Sequence, residues 1–150
     1  MVSDTLKLTG KLKVEKYNQD NNLVDSREIP NLVVSAGKSH IATRISSNSE
    51  VIMNHMAIGD TATTPTASDS ALAGEQADAR VALTSTSVTA NTITYLATFP
   101  PGTGTGTVQE AGIFNAQGAN AGTMLCRTTF ASITKGASDS IVITWNVSVA

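Results

Sequence analysis

The sequence predicts an all-β protein, mainly strand with one short helix. The expected architecture is a β-sandwich or jelly-roll-like body, residues 31–150, preceded by an N-terminal β-hairpin arm, residues 1–30. Three observations carry this. Apolar and polar residues alternate with period two in several separate segments, as half-buried strands require. Clusters of Asn, Asp, Gly and Pro punctuate those segments at short intervals. Only one segment shows apolar residues at helical spacing.

The elements follow in order. Leu6, Leu8, Leu12 and Val14 alternate with Lys7, Thr9, Lys11, Lys13 and Glu15, and Asn18-Gln19-Asp20-Asn21-Asn22 forms a turn cluster. Asn and Asp suit turns because their side chains bond nearby backbone and tolerate left-handed dihedrals. Leu23 to Ile29 returns as the second strand of the hairpin. After Pro30-Asn31, the run Leu32-Val33-Val34 leads to Ser35, which is expected to cap a helix near 36–46 carrying Ile41, Ala42 and Ile45. Met53 to Ile58 reads as a strand, 60–70 as a polar surface loop and Ser70 to Gln76 as a single helical turn.

Beyond residue 76 the pattern is almost entirely β. Arg80 to Val88 holds one or two short strands. Ile93, Tyr95, Ala97 and Phe99 alternate with Thr92, Thr94, Leu96 and Thr98, and Pro100 to Gly106 breaks the pattern. Ala111 to Phe114 and Thr123 to Phe130 flank a Gly/Asn loop as in a hairpin. Ile141, Ile143, Trp145, Val147 and Val149 form a regular closing strand, expected to be integral to the sheet.

Composition narrows the function classes. The 150 residues carry a net charge of −2, and 15% are charged, against about 25% in ordinary soluble domains. Ser, Thr, Asn and Gly take up the difference. Such a surface is poorly suited to gripping phosphates by counterion release, so no nucleic-acid partner is expected. At 4% aromatics, base-stacking and sugar-binding shelves are scarce too. One cysteine excludes an internal disulfide framework. No basic segment followed by an apolar run suggests a secretory signal, and no apolar stretch reaches the roughly 18–20 residues of a membrane helix. The expectation is synthesis in a host cytoplasm with no membrane partner.

No catalytic, cofactor-binding or metal site is expected. Gly37-Lys38-Ser39 follows an apolar run and opens a helix, the setting of a phosphate-binding loop. That loop needs a glycine five residues earlier, where Leu32 stands. Pro101 to Gly106 is glycine-rich, but no helix follows to direct amides at a phosphate. His40, His55 and Cys126 are not at metal-ligand spacing, and no nucleophile motif surrounds them. Cys126 lies within a strand, where a small buried apolar role is the default. Asp60, Asp69, Glu75, Asp78, Glu110 and Asp139 are scattered singly, and Glu110 reads as a structural hydrogen-bonding group. The chain is therefore expected not to be an enzyme.

Several segments recur in a known group of proteins: Asn31-Leu32-Val33-Val34 leading into Gly37-Lys38, Met56-Ala57-Ile58-Gly59-Asp60, and Asp69-Ser70-Ala71-Leu72 with Glu75. Glu110-Ala111-Gly112-Ile113-Phe114-Asn115, Met124 to Phe130 and Ile141 to Trp145 complete the set. In these the chain resembles small virion structural proteins of tailed bacteriophages. The resemblance covers most of residues 31–150 and marks a fold rather than a chemistry. It implies either a capsid cement (decoration) protein or, as the alternative, a tail-fibre or baseplate component or receptor-binding tip. A tail fibre usually carries a repetitive or coiled-coil shaft, and no such repeat is visible, so the cement reading is preferred at this point. It implies a homotrimer on the virion's capsid surface, clamping neighbouring copies of the major capsid protein. The hairpin at 6–29 would be the arm, pairing by strand addition.

Overall fold

The computed structural model describes residues 4–150. Its elements are β1 (Leu8–Tyr17), β2 (Leu23–Val33), α1 (Ser35–Ser46), β3 (His55–Gly59), β4 (Glu75–Ala82), β5 (Ser85–Thr89), β6 (Thr92–Phe99), β7 (Gly106–Phe114), β8 (Met124–Lys135) and β9 (Ser140–Val149). The nine strands form one curled sheet in the order β4-β3-β7-β8-β2-β1-β9-β6-β5, and all neighbours run antiparallel. The fold is all-β with a single helix, as the alternation and turn spacing predict.

The sheet folds over on itself at β2. Residues 23–31 of β2 pair with β1, whereas Leu32 and Val33 pair with Arg127 and Cys126 of β8. At the far side the two edge strands, β4 and β5, are consecutive in the chain. Leu83 and Thr84 join them, donating backbone N–H bonds to the carbonyls of Asn54 and Leu96. The curl is thus bridged covalently at one corner and by a shared strand at the other. Each half faces a common core: Leu12, Val14, Ile143 and Trp145 come from one, and Met56, Ile58, Val108 and Ile133 from the other.

Three expectations need correction. The hairpin is not a detached arm. β1 lies between β2 and β9, in register from Leu8–Val149 to Tyr17–Ser140, because Leu12 and Val14 are completely buried in the common core. The boundary expected after residue 30 falls inside β2, and residues 1–3 of the expected arm lie outside the described residues. Ser35 does not cap α1. Val34 occupies the N-cap position with no side-chain bond, and Ser35 donates its amide to the carbonyl of Ala67. Finally, Ser70 to Gln76 forms no helical turn. The Glu110 carboxylate accepts the amides of Ala73 and Gly74 instead, and β4 begins at Glu75.

Candidate functional site

Of the residues singled out for chemistry, Gly37-Lys38-Ser39, the 101–106 glycine run and the two histidines and cysteine are not gathered into one site, whereas Asp69 and Glu110 meet on one arginine. Gly37 sits in the first turn of α1 against β8, where a Cβ would run into the backbone of Leu125. Glycine is required there for close helix–sheet approach, and Lys38 beside it is exposed. Gly102, Gly104 and Gly106 all have positive φ, the left-handed dihedrals of a tight turn. Beneath that turn the fully buried Lys135 donates to the carbonyls of Pro100 and Asp139.

His40, His55 and Cys126 stand on α1, β3 and β8. His55 bonds Asn54 at 2.7 Å, and burial, with Arg80 nearby, lowers its pKa. His40 is buried, with Nδ1 3.7 Å from the Glu50 carboxylate. Burial pushes the Cys126 thiol well above its ordinary pKa, the reverse of what a nucleophile needs. Among the described residues no group of three or more His, Cys, Asp or Glu side chains is arranged to hold a metal ion.

Three of the six acids, Asp69, Glu75 and Glu110, serve two buried guanidinium clips, while Asp139 pairs with Lys16. Arg127, on β8, donates to Glu110 at 2.8 and 2.9 Å and to Asp69 at 2.8 Å. It also reaches the Thr63 carbonyl at 3.0 Å. Glu110 is fully buried and also accepts the amides of Ala73 and Gly74, so one ion pair stitches the 60–74 loop to the sheet. The loop brings Leu72 down beside Val34, Ala57, Phe114 and Met124, making a second apolar cluster. Arg80, on β4, forms the other clip. It is paired with Glu75 through two bonds and lies 3.7 Å from the centre of the Phe114 ring. Its remaining donors take the carbonyls of Ala116 and Ala121 in the β7–β8 loop. These arrangements can hold loops rigidly. Their carboxylates are taken up by guanidinium and backbone N–H donors.

Among the described residues, one surface feature is an apolar groove at one end of the molecule. It encloses about 350 Å³ between α1 and the ends of β1, β6 and β9, lined by Leu8, Ile41, Ile45, Ile93 and Val149 with Ile52. A second hollow adjoins it, sharing Leu8, Ile41 and Ile45 and adding Leu6, Lys7 and Lys38. The helical spacing of Ile41 and Ile45 predicts a core-facing stripe. Only Ile41 is half-buried against the core, and Ile45 is 79% exposed. Sequence reasoning missed this surface because an apolar pair at helical spacing looks the same whether or not a partner covers it. Arg80 was not singled out either, and Arg127 appeared only among the recurring segments. A lone arginine inside an apolar run was the one available signal.

Neither the curated proteins nor the solved structures contain a match to this chain. Residues 26–150 match the family model described as phage tail-collar fibre protein, N-terminal, and the chain therefore belongs to that family of phage virion structural proteins.

Proposed function

We propose that this protein is a tail-fibre component of a phage particle, acting by binding rather than by catalysis. The family match over residues 26–150 is the observation that carries this reading. It favours the tail over the shell, reversing the order preferred from sequence. Nothing comparable supports the capsid-cement reading, with the major capsid protein as partner. The body suits a mechanical role, since β2 and the β4–β5 link bridge the two halves of the curl and two buried clips pin its longest loops.

Antibodies raised against the purified protein, applied to intact particles and imaged by electron microscopy, test this reading. Labelling restricted to the tail is expected. Labelling spread over the faces of the shell would overturn the tail reading and restore the cement one.

A further inference from the structure

The exposed large aliphatic side chains are not scattered. Among the described residues there are seven: Leu6, Leu23, Val24, Ile45, Val51, Ile52 and Val88. Leu6, Ile45 and Ile52 line the groove and its adjoining hollow, Val51 precedes Ile52, and Val88 stands opposite the groove residue Ile93. The remaining two, Leu23 and Val24, sit together at the β1–β2 turn. Leu8 marks the groove end of β1 and Tyr17, paired with Leu23, the turn end. At roughly 3.3 Å per residue the two patches lie about 30 Å apart, at opposite ends of one strand.

The two ends also differ in charge. Lys7, Lys38 and Arg44 border the groove and its hollow, with Glu50 as the nearby acid. The turn carries the exposed Asp20, while Asp25 is matched by Arg27 and by Lys16 opposite it, and Lys16 also pairs with Asp139. The turn is pre-ordered: the Asn18 side chain accepts the amides of Asp20 and Asn22, and Asn21 adopts φ 61°. A pre-ordered apolar tip loses little entropy on docking.

We propose that a second copy of this chain fills the groove, the Leu23–Val24 tip of one molecule seating between α1 and the sheet of the next. The exposed Asp20 at the tip then meets the basic rim of the groove. Because the two surfaces are different and lie at opposite ends, the contact is heterologous: each copy offers a tip to one neighbour and a groove to another. Exposed apolar patches of this kind mark interaction sites, and this pairing accounts for both of them with one contact. The contact does not depend on whether the protein sits on tail or shell.

Two substitutions test it in the full-length chain, Ile45→Asp in the groove and Leu23→Asp at the tip. Both positions are more than half exposed, and circular dichroism checks that each variant folds. Sedimentation equilibrium across a concentration series should show wild-type mass rising above the monomer. Each variant alone should associate more than about tenfold more weakly, because a carboxylate would be placed among the aliphatic side chains of the contact. An equimolar mixture should form a one-to-one complex, since Leu23→Asp keeps its groove and Ile45→Asp keeps its tip. Wild-type protein that stays monomeric would overturn the proposal. So would Leu23→Asp associating like wild type, which would mean that grooves meet grooves, or a mixture that stays monomeric. Ile45→Ser and Leu23→Ser serve as the pair should either aspartate variant fail to fold.

Discussion

The two halves of the curled sheet are built on different physical terms. In the half formed by β5, β6, β9, β1 and the start of β2, burial alternates along the central strands. β9 buries Ile141, Ile143, Trp145 and Val147 and turns Thr144 and Asn146 outward. One face is core and the other is wet, so each residue needs only the right polarity. In the other half, β3, β7 and β8 are buried on both faces. Met56 to Gly59, Glu110 to Phe114 and Met124 to Arg127 run as unbroken buried stretches. The 60–74 loop covers the second face, and buried ion pairs hold it there. A sheet half with one dry face is a matter of patterning. A half with two dry faces needs a cover, and the cover needs an anchor.

The comparison can be broken most severely at the anchor. Glu110→Ala leaves the Arg127 charge buried and two loop amides without their acceptor. We expect a loss of about 3–5 kcal/mol, read by urea denaturation, with faster hydrogen exchange across 60–74 than across β9. If exchange rises equally in both halves, the halves are one cooperative unit and the contrast is only geometric. Next is the helix seat. Gly37→Ala puts a methyl against the Leu125 backbone and should cost about 1–3 kcal/mol by displacing α1 from β8. In the alternating half, Ile143→Val removes one buried methyl and should cost about 0.5–1.5 kcal/mol without loosening the 60–74 loop. The smallest effect is expected at Lys11→Ala. Its ion pair with Glu28 on the outer face is more than half exposed and contributes at most about 1 kcal/mol.

Acid sharpens the same contrast. Burial raises the Asp69 pKa, but bonds from the Thr66 amide and hydroxyl and from Arg127 outweigh it, leaving the carboxyl below its ordinary 3.8. A carboxyl depressed in the folded state stabilises fully above its unfolded value, and that contribution is lost as pH falls through the folded value. Melting temperature should therefore decline below about pH 4, less steeply for Asp69→Asn than for wild type. A parallel decline in both would show that Asp69 contributes nothing to acid sensitivity.

How much of this was legible follows from the same physics. Alternation over Ile141 to Val149 and Ile93 to Phe99 located β9 and β6, because one-sided burial writes its period directly into the residues. The hairpin over 6–29 was legible as two strands and a turn. Its place between β2 and β9 was not, since Leu12 and Val14 look the same whether they cover an arm or a core. The Ser70–Gln76 turn was misread because a carboxylate on β7, distant in sequence, captures its amides. Near the groove, Ile41 and Ile45 were legible as an apolar stripe on a helix, but not as a surface.

The amino-acid sequence by itself determined the all-β class, the single helix and the positions of most strands. These are properties of short windows, where side-chain polarity and backbone preference act within a few residues. Only the tertiary structure decided that β2 serves both halves of the sheet, that Arg127 and Glu110 lock a loop from across the fold, and that five exposed aliphatics gather at one end while two stand at the other. Each depends on residues far apart in the chain meeting in space, and no local pattern records which distant partner a buried charge or an apolar side chain will find.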